Sequence, residues 1–322
     1  MNITLLGCGR WGSFIAWYMD NVKRNNVTVW GRENDPLLDN LIATRKNEYV
    51  EVPESIQLTH DLEKAVNNSD IIIISISAQA VRDLMSKVSQ IPSYKDKTFV
   101  LCMKGIEDST GKRLSQVLME FGVDKNNIAV WVGPGHIQEF TRRVPNCMII
   151  DSYNHELAKD LVVKFSSDLI RFYIGNDIIG SEIGAAAKNV MGIGAGILDG
   201  LGCSVLKGAL MARGAHEVAR FIKTLGGNEL SAYGLCHLGD YEATLFSPFS
   251  HNRKFGEMFI KNEPFSKLAE GVATASAMLK IAKEHNIELP ITQAIYNIIN
   301  RKATAQEILT ELFSRENKHE FE

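Results

Sequence analysis

Cysteine is scarce in this chain and carries no pairing pattern. Cys8, Cys102, Cys147, Cys203 and Cys236 are odd in number and none sits in C-x-x-C. That argues against a disulfide framework or a zinc cage, leaves no metal site to expect, and points to a reduced, cytosolic chain. Basic excess is missing too: 35 Lys and Arg face 38 Asp and Glu, for a net charge of −3. A nucleic-acid partner would need a basic stripe and is not expected, whereas a small anionic substrate needs only a local cluster of cations. No basic-then-apolar leader opens the chain, which goes straight into a strand pattern. No apolar run reaches the ~20 residues of a membrane span. The nearest, Ile183 to Leu198, contains Lys188 and Asn189. No fixed-period repeat or low-complexity stretch is visible. What is left, 45% hydrophobic and 23% charged residues over 322 positions, is an ordinary globular composition of about two domains.

The most informative segment is the first. The apolar run Ile3–Leu6 leads at once into Gly7-Cys8-Gly9-Arg10-Trp11-Gly12, then a helix-like stretch and a second strand pattern, Val27–Trp30. G-x-G-x-x-G between strand and helix predicts a dinucleotide-binding βαβ unit. Gly7 permits the sharp turn, Gly9 lets a pyrophosphate approach the backbone, and Gly12 lets the helix pack on the strand. The amides of the helix N-terminus then face the phosphates.

Further along, apolar runs rich in β-branched residues predict strands at Ile71–Ile76, Thr98–Met103 and Ile128–Val132, with two more at Asn146–Asp151 and Leu169–Ile174 extending the sheet edge. Helical stretches lie between them at Gly12–Met19, Asp61–Val66, Gln79–Val88 and Gly111–Phe121. Strands read as continuous apolar blocks, buried on both faces by helices, which makes the sheet parallel. From about Gly175 strand signals stop. Helices are expected at Glu182–Leu198, Leu206–Lys223, Phe265–His285 and Ile291–Ile299, and from Thr304 to Phe313, where Thr304 and Glu307 form a capping box. Arg315–Glu322 reads as a charged tail. The fold class is therefore α/β: a Rossmann-type doubly wound parallel sheet over residues 1–175, followed by an all-helical domain over 176–322. Ligands of such sheets lie beyond the carboxyl ends of the strands, so chemistry is expected in the cleft between the two domains.

At the end of the second strand, an acidic residue favours the ribose hydroxyl of NAD and an arginine favours the phosphate of NADP. Here Gly31-Arg32-Glu33 offers both. The expectation is an NAD(P)H cofactor with a weak preference for NADP, carried by Arg32.

Four clusters carry chemistry. Lys104, in Met103-Lys104-Gly105-Ile106-Glu107, follows a strand and points a cation at the ligand end of the sheet. Gly133-Pro134-Gly135 follows another and exposes backbone N–H groups suited to a substrate oxygen. Lys188 stands among Ala185, Ala186, Ala187 and Val190 on a helix that is otherwise core. A buried lysine has a lowered pKa and can exchange a proton near neutrality. The segment from Leu238-Gly239-Asp240 through Thr244 to Ser250-His251-Asn252-Arg253-Lys254 gathers an acid, hydroxyls, an amide and cations able to cradle a phosphate ester. Each also has a bland alternative: a turn lysine, an ordinary turn, a snorkelling lysine and a polar loop. Asp199 and the i,i+4 pair Arg213 and Glu217 read as structural, the latter as an ion pair.

Taken together these motifs resemble bacterial NAD(P)-dependent glycerol-3-phosphate dehydrogenases over nearly the whole chain. The matching segments are Gly7 to Gly12, Lys104 to Glu107, Gly133-Pro134-Gly135, Lys188-Asn189-Val190 through Asp199-Gly200-Leu201-Gly202, Leu238-Gly239-Asp240, His251-Asn252-Arg253-Lys254-Phe255-Gly256 and Glu270-Gly271-Val272. The resemblance implies reversible reduction of dihydroxyacetone phosphate to sn-glycerol 3-phosphate, a precursor of phospholipids. It assigns Lys188 as acid/base with Asp240 beside it and Lys104 as a contact to both substrate and nicotinamide. Gly133, Gly135, Asn189, Asp240, Thr244, Ser250, His251 and Asn252 would line the substrate. Gly7, Gly9, Arg10, Trp11, Gly12, Arg32, Lys104, Ile137, Leu268 and Glu270 would contact the cofactor.

Two departures stand out. His251 replaces an arginine of the family pattern, which leaves the phosphate contact open between His251, Arg253 and Lys254. Gly135-His136-Ile137 replaces Ser-Phe-Ala, so only backbone can serve at Gly135. Two alternatives remain at this level: a related reductase of the 3-hydroxyisobutyrate, 6-phosphogluconate or 2-dehydropantoate type, and a nucleotide-binding sensor without turnover. The small residues Gly192 and Gly196 and exposed helical faces point to a homodimer.

Overall fold

The computed structural model describes residues 1–317, 319 and 320. The expected tail Arg315–Glu322 therefore lies partly outside the described residues. The chain forms two compact units, Met1–Met103 with Arg113–Ile178, and Lys104–Lys112 with Ile179–Glu322. The short Lys104–Lys112 segment belongs to the second unit, which a single division at residue 175 does not anticipate.

The first unit is built on an eight-stranded sheet. Its strands are β1 (Asn2–Leu6), β2 (Asn26–Trp30), β3 (Gln57–Thr59), β4 (Ile71–Ile74), β5 (Thr98–Leu101), β6 (Ile128–Val132), β7 (Asn146–Ser152) and β8 (Ile170–Ile174). They are ordered β3-β2-β1-β4-β5-β6-β7-β8. Its helices are α1 (Arg10–Trp17), α2 (Pro36–Thr44), α3 (Leu62–Asn67), α4 (Val81–Val88), α5 (Leu114–Glu120), α6 (Ile137–Thr141) and α7 (His155–Phe165). Leu5, Ile73, Val100 and Trp131 from neighbouring strands are 0% exposed, as expected of a sheet covered on both faces.

The expected all-parallel sheet needs one correction: β7 runs antiparallel to β6, while β8 is again parallel to β7. The helix between β6 and β7, α6, spans only Ile137–Thr141. It rises about 7.5 Å, whereas a five-residue strand covers about 16 Å. It cannot carry the chain back to the start of β6 for a parallel return, so β7 comes directly back.

The second unit is helical: α8 (Ile178–Gly200), α9 (Lys207–Thr224), α10 (His251–Ile260), α11 (Gly271–Glu284), α12 (Pro290–Ile299) and α13 (Ala305–Phe313). α11 begins at Gly271, later than the Phe265 expected. Thr304 and Glu307 cap α13 reciprocally as the sequence predicts. Gly192 and Gly196 are consumed inside this unit: a Cβ at Gly196 would stand 1.9 Å from the Arg253 carbonyl oxygen, and one at Gly192 2.8 Å from Thr244 Cγ2. They allow α10 to approach α8.

The Arg213–Glu217 ion pair is not what holds Glu217. Its buried carboxylate accepts from Ile291 N (2.7 Å), Thr292 N (2.9 Å) and Thr292 Oγ1 (2.7 Å). It caps the N-terminus of α12, whose first amides have no intrahelical acceptor. Asp199 is structural, binding Lys207 Nζ (2.6 Å) and Arg253 Nε (2.7 Å).

Candidate active site

The helical unit holds a buried cluster of charged side chains. Lys188 sits mid-way along α8 at 7% exposure, behind Ala185, Ala186 and Ala187 at 0%. Its ammonium lies 2.8 Å from Asp240 Oδ2 and donates to Thr244 Oγ1 at 2.8 Å. Burial pushes the Lys188 pKa down to about 8; the Asp240 carboxylate opposes this shift and the Lys104 cation adds to it. An amine titrating there exchanges a proton readily in either direction at neutral pH.

Asp240 comes from the 3-10 turn Leu238–Asp240 and is 1% exposed. Lys104 Nζ donates to the same Oδ2 at 2.7 Å, so two ammonium groups share one oxygen. The other oxygen, Oδ1, is buried and makes no hydrogen bond. A buried carboxylate oxygen without a donor is costly; here it leaves one acceptor for the hydroxyl of a ligand.

Lys104 is held by a relay of amides. Gly271 N donates to Asn252 Oδ1 (2.9 Å), Asn252 Nδ2 to Asn189 Oδ1 (3.0 Å), and Asn189 Nδ2 to the Lys104 carbonyl (2.8 Å). The two asparagines expected at the substrate thus each spend one donor and one acceptor on fixing the backbone of Lys104. Each side-chain amide keeps a further N–H for a ligand. Ser250 caps α10 by accepting from Arg253 N at 3.3 Å. His251 is the first residue of α10, its ring edge-on to Phe265. Arg253 is engaged by Asp199 and by Glu257, and Lys254 is exposed. Leu268 is 60% exposed and Glu270 is the residue before α11.

In the sheet unit the glycine loop has the expected form. Gly7 has φ +123°, and a Cβ there would stand 2.3 Å from the Ser75 carbonyl oxygen. Gly12 presses against Gly7, its Cβ position 2.2 Å from the Gly7 oxygen. Gly9, the residue before α1, would meet nothing within 4 Å. No side chain caps α1 and no acid lies in its first turn. Open space at Gly9 and uncapped amides beside it fit a dinucleotide pyrophosphate. Trp11 packs on Phe14 and Phe140, and Arg10 lies over Tyr49. Arg32 and Glu33 are both exposed after β2, and the Arg32 carbonyl accepts from His60 Nδ1 at 2.7 Å.

Gly133 and Gly135 follow β6 with φ of +128° and +152°. At Gly135 a Cβ would enter the Phe140 ring at 2.4 Å, so a serine is sterically excluded in this loop. Ile137 is 2% exposed within the sheet unit's core; only its backbone is left for a ligand.

Lys104, Lys188, Asn189, Asp240, Thr244 and Asn252 therefore form one bonded cluster. Gly7, Gly9, Arg10, Trp11, Gly12, Arg32, Gly133, Gly135 and Ile137 are in the sheet unit. The sequence reading missed His237 and Tyr241, whose only signal was an i,i+4 spacing around Asp240.

Two family models match the chain: the NAD-dependent glycerol-3-phosphate dehydrogenase N-terminus over residues 2–158 and the corresponding C-terminus over 177–310. The chain belongs to this family. Among curated members, glycerol-3-phosphate dehydrogenase [NAD(P)+] of Thermoanaerobacter sp. (strain X514) is 34% identical over 99% of both chains. That of Prosthecochloris aestuarii is 32% identical over 99% of this chain and 100% of its own. Of solved structures, glycerol-3-phosphate dehydrogenase from Coxiella burnetii superposes with a TM-score of 0.89 at 25% identity, covering 98% of this chain and 99% of that one. The Plasmodium falciparum enzyme, at 19% identity, shares the fold with a TM-score of 0.87 over 99% and 97% of the two chains. This member is an NAD(P)-dependent oxidoreductase with the family's sheet unit and helical unit.

Proposed function

We propose that this dehydrogenase reduces dihydroxyacetone phosphate to sn-glycerol 3-phosphate, reversibly, for glycerophospholipid synthesis. Residues 1–175 supply most of the dinucleotide contacts, and 176–322 together with Lys104 supply most of the substrate chemistry. The observation that carries this reading is the Lys188–Asp240–Lys104 cluster with its vacant acceptor. NAD(P)H held at the glycine loop would supply the hydride that reduces the ketone carbon. Lys188 donates its proton to the oxygen on which negative charge grows, and recovers one in the oxidative direction. Lys104 adds a second positive charge at the same point. Asp240 Oδ2 pairs with both amines and holds them at one point, and Oδ1 accepts from the substrate's free hydroxyl.

Asn189 and Asn252 orient Lys104 and offer their remaining amide N–H groups, and Thr244 fixes the Lys188 amine. With Arg253 committed to Asp199, the substrate phosphate rests on the α10 N-terminus, with His251 and the Ser250 cap beside it. Gly133 and Gly135 present backbone groups to the substrate. Gly7, Gly9, Gly12, Arg10, Trp11, the Ile137 backbone, Leu268 and Glu270 contact the dinucleotide. Arg32 gives a weak preference for NADP through the 2′-phosphate.

Five free cysteines support a cytoplasmic location. Among the described residues no helix is long and apolar enough to cross a membrane. Exposed Val205, Leu230 and Phe313 support a homodimer.

The test is loss of reduced-nicotinamide absorbance with dihydroxyacetone phosphate, using NADH and NADPH in parallel. Turnover with both, somewhat better with NADPH, is expected. No oxidation of either, or preference for a branched 2-keto acid, overturns the assignment.

A further inference from the structure

The Asp240 turn is too short to hold itself. It is a single 3-10 turn, Leu238–Asp240, yet its carboxylate must stay within 3 Å of Lys188. Three contacts tie this stretch to one stripe of α8. Cys236 Sγ approaches the Gly180 carbonyl (3.8 Å), His237 Nδ1 the Gly184 carbonyl (2.8 Å), and Asp240 Oδ2 the Lys188 amine (2.8 Å). Residues 180, 184 and 188 recur every four positions and so share a face of the helix. Gly184 makes the approach possible, since a Cβ there would stand 3.1 Å from His237 Cβ and 3.0 Å from Cys236 Sγ.

The ring of His237 is 0% exposed, and both its nitrogens are used. A carbonyl only accepts, so Nδ1 carries the proton and Nε2 accepts from the Tyr241 hydroxyl at 2.7 Å. The His237 backbone oxygen meanwhile accepts from Asp240 N at 3.0 Å. One residue thus grips α8 with its ring and the Asp240 turn with its backbone.

We propose that His237, braced by Tyr241, is a positioning residue that keeps the Asp240 carboxylate in register with the Lys188 amine. This rests on the acid/base role given to Lys188 above. His237 takes no part in proton transfer: burial pushes its pKa down to about 4, so it stays a neutral strut, with its one N–H on Gly184, through the working range. Lys188 faces Asp240 from the turn, Thr244 from the Glu242–Phe246 stretch and Lys104 from its own segment. If the turn slackens, the carboxylate stops opposing burial, and the amine loses its proton at lower pH.

The experiment measures kcat for ketone reduction against pH in the full-length protein. His237→Ala is expected to lower kcat about tenfold to a hundredfold, the scale of a misplaced catalytic group. It also moves the alkaline limb to lower pH, with KM for the dinucleotide unchanged. His237→Asn, which restores an N–H toward Gly184, returns the limb towards its original position. A lowered Tm with the limb unmoved in His237→Ala, or a limb displaced equally in His237→Asn, overturns the proposal. Should His237→Ala not fold, Tyr241→Phe carries the test: a displaced limb supports the strut and an unmoved one overturns it. Lys188→Ala separates the two ideas, because turnover surviving in that variant removes the underlying role whatever the His237 variants do.

Discussion

Lys188 and Asp240 form an ion pair of 2.8 Å in which the carboxylate is 1% exposed and the lysine 7%. Burial and the neighbouring carboxylate pull the amine in opposite directions, and burial is the larger effect. The pH dependence follows. Ketone reduction needs the protonated amine, so kcat falls as pH rises through about 8, while alcohol oxidation needs the free amine and rises through the same range. Asp240→Asn removes the opposing charge, so both limbs move to lower pH. Steady-state rates in the two directions across pH 6 to 10 check this; parallel limbs would contradict it.

The same amine leaves a mark on stability. Its pKa is about 8 in the folded chain, against the ordinary 10.5 of a solvated lysine. Between those values the unfolded chain holds more protons, so the contribution of this group to stability rises with pH across that window. Below it, the full cost of the buried charge is present. Thermal unfolding of wild type and Lys188→Met at pH 7 and pH 9.5 should show the wild type gaining on the variant at the higher pH.

The glycine loop separates folding from binding within one motif. Gly9→Ala meets open space; Tm is expected to stay within about 1 °C, a surface-substitution effect, while dinucleotide affinity drops at least about tenfold, since the methyl occupies the phosphate approach. Gly12→Ala drives a Cβ to 2.2 Å from the Gly7 oxygen and should lower Tm. Calorimetry alongside dinucleotide titration distinguishes the two.

Glu217 is a buried cap and not half of a surface pair. Glu217→Ala leaves the amides of Ile291 and Thr292 without acceptors, at a cost of about 2–6 kcal/mol for two orphaned donors. Arg213→Ala, by contrast, changes stability by less than about 0.5 kcal/mol. Denaturant unfolding of the two variants measures the difference.

Much of the architecture was written in local pattern. β-branched blocks such as Ile71–Ile74 fixed the central strands, and the glycine spacing fixed the first turn. The elements missed had weaker signals. β3 is the three residues Gln57–Thr59, with one apolar side chain. α2, α7 and α10 begin at single capping residues, Asp35, Asn154 and Ser250, and their turns look like loop from composition alone. The direction of β7 depended on the length of α6, which no periodicity encodes. At the site, residue types pointed to Lys188, Lys104 and Asp240, yet the bonds among Asn189, Asn252 and Lys104 link positions 63 and 85 residues apart. Such pairings exist only after folding. For the same reason Asn189 and Asn252 looked like ligand contacts alone, when they also secure the chain.

The Lys104–Lys112 excursion makes the helical half discontinuous. Ile106 is 0% exposed within the core of that half, although the chain before Lys104 and after Lys112 belongs to the sheet half. A gene fragment cut at the start of α8 would lack both this core plug and one of the amines. The two halves are therefore not interchangeable cassettes: recombination that exchanges one for a relative's must splice at several points or lose a piece of the centre it was meant to transplant.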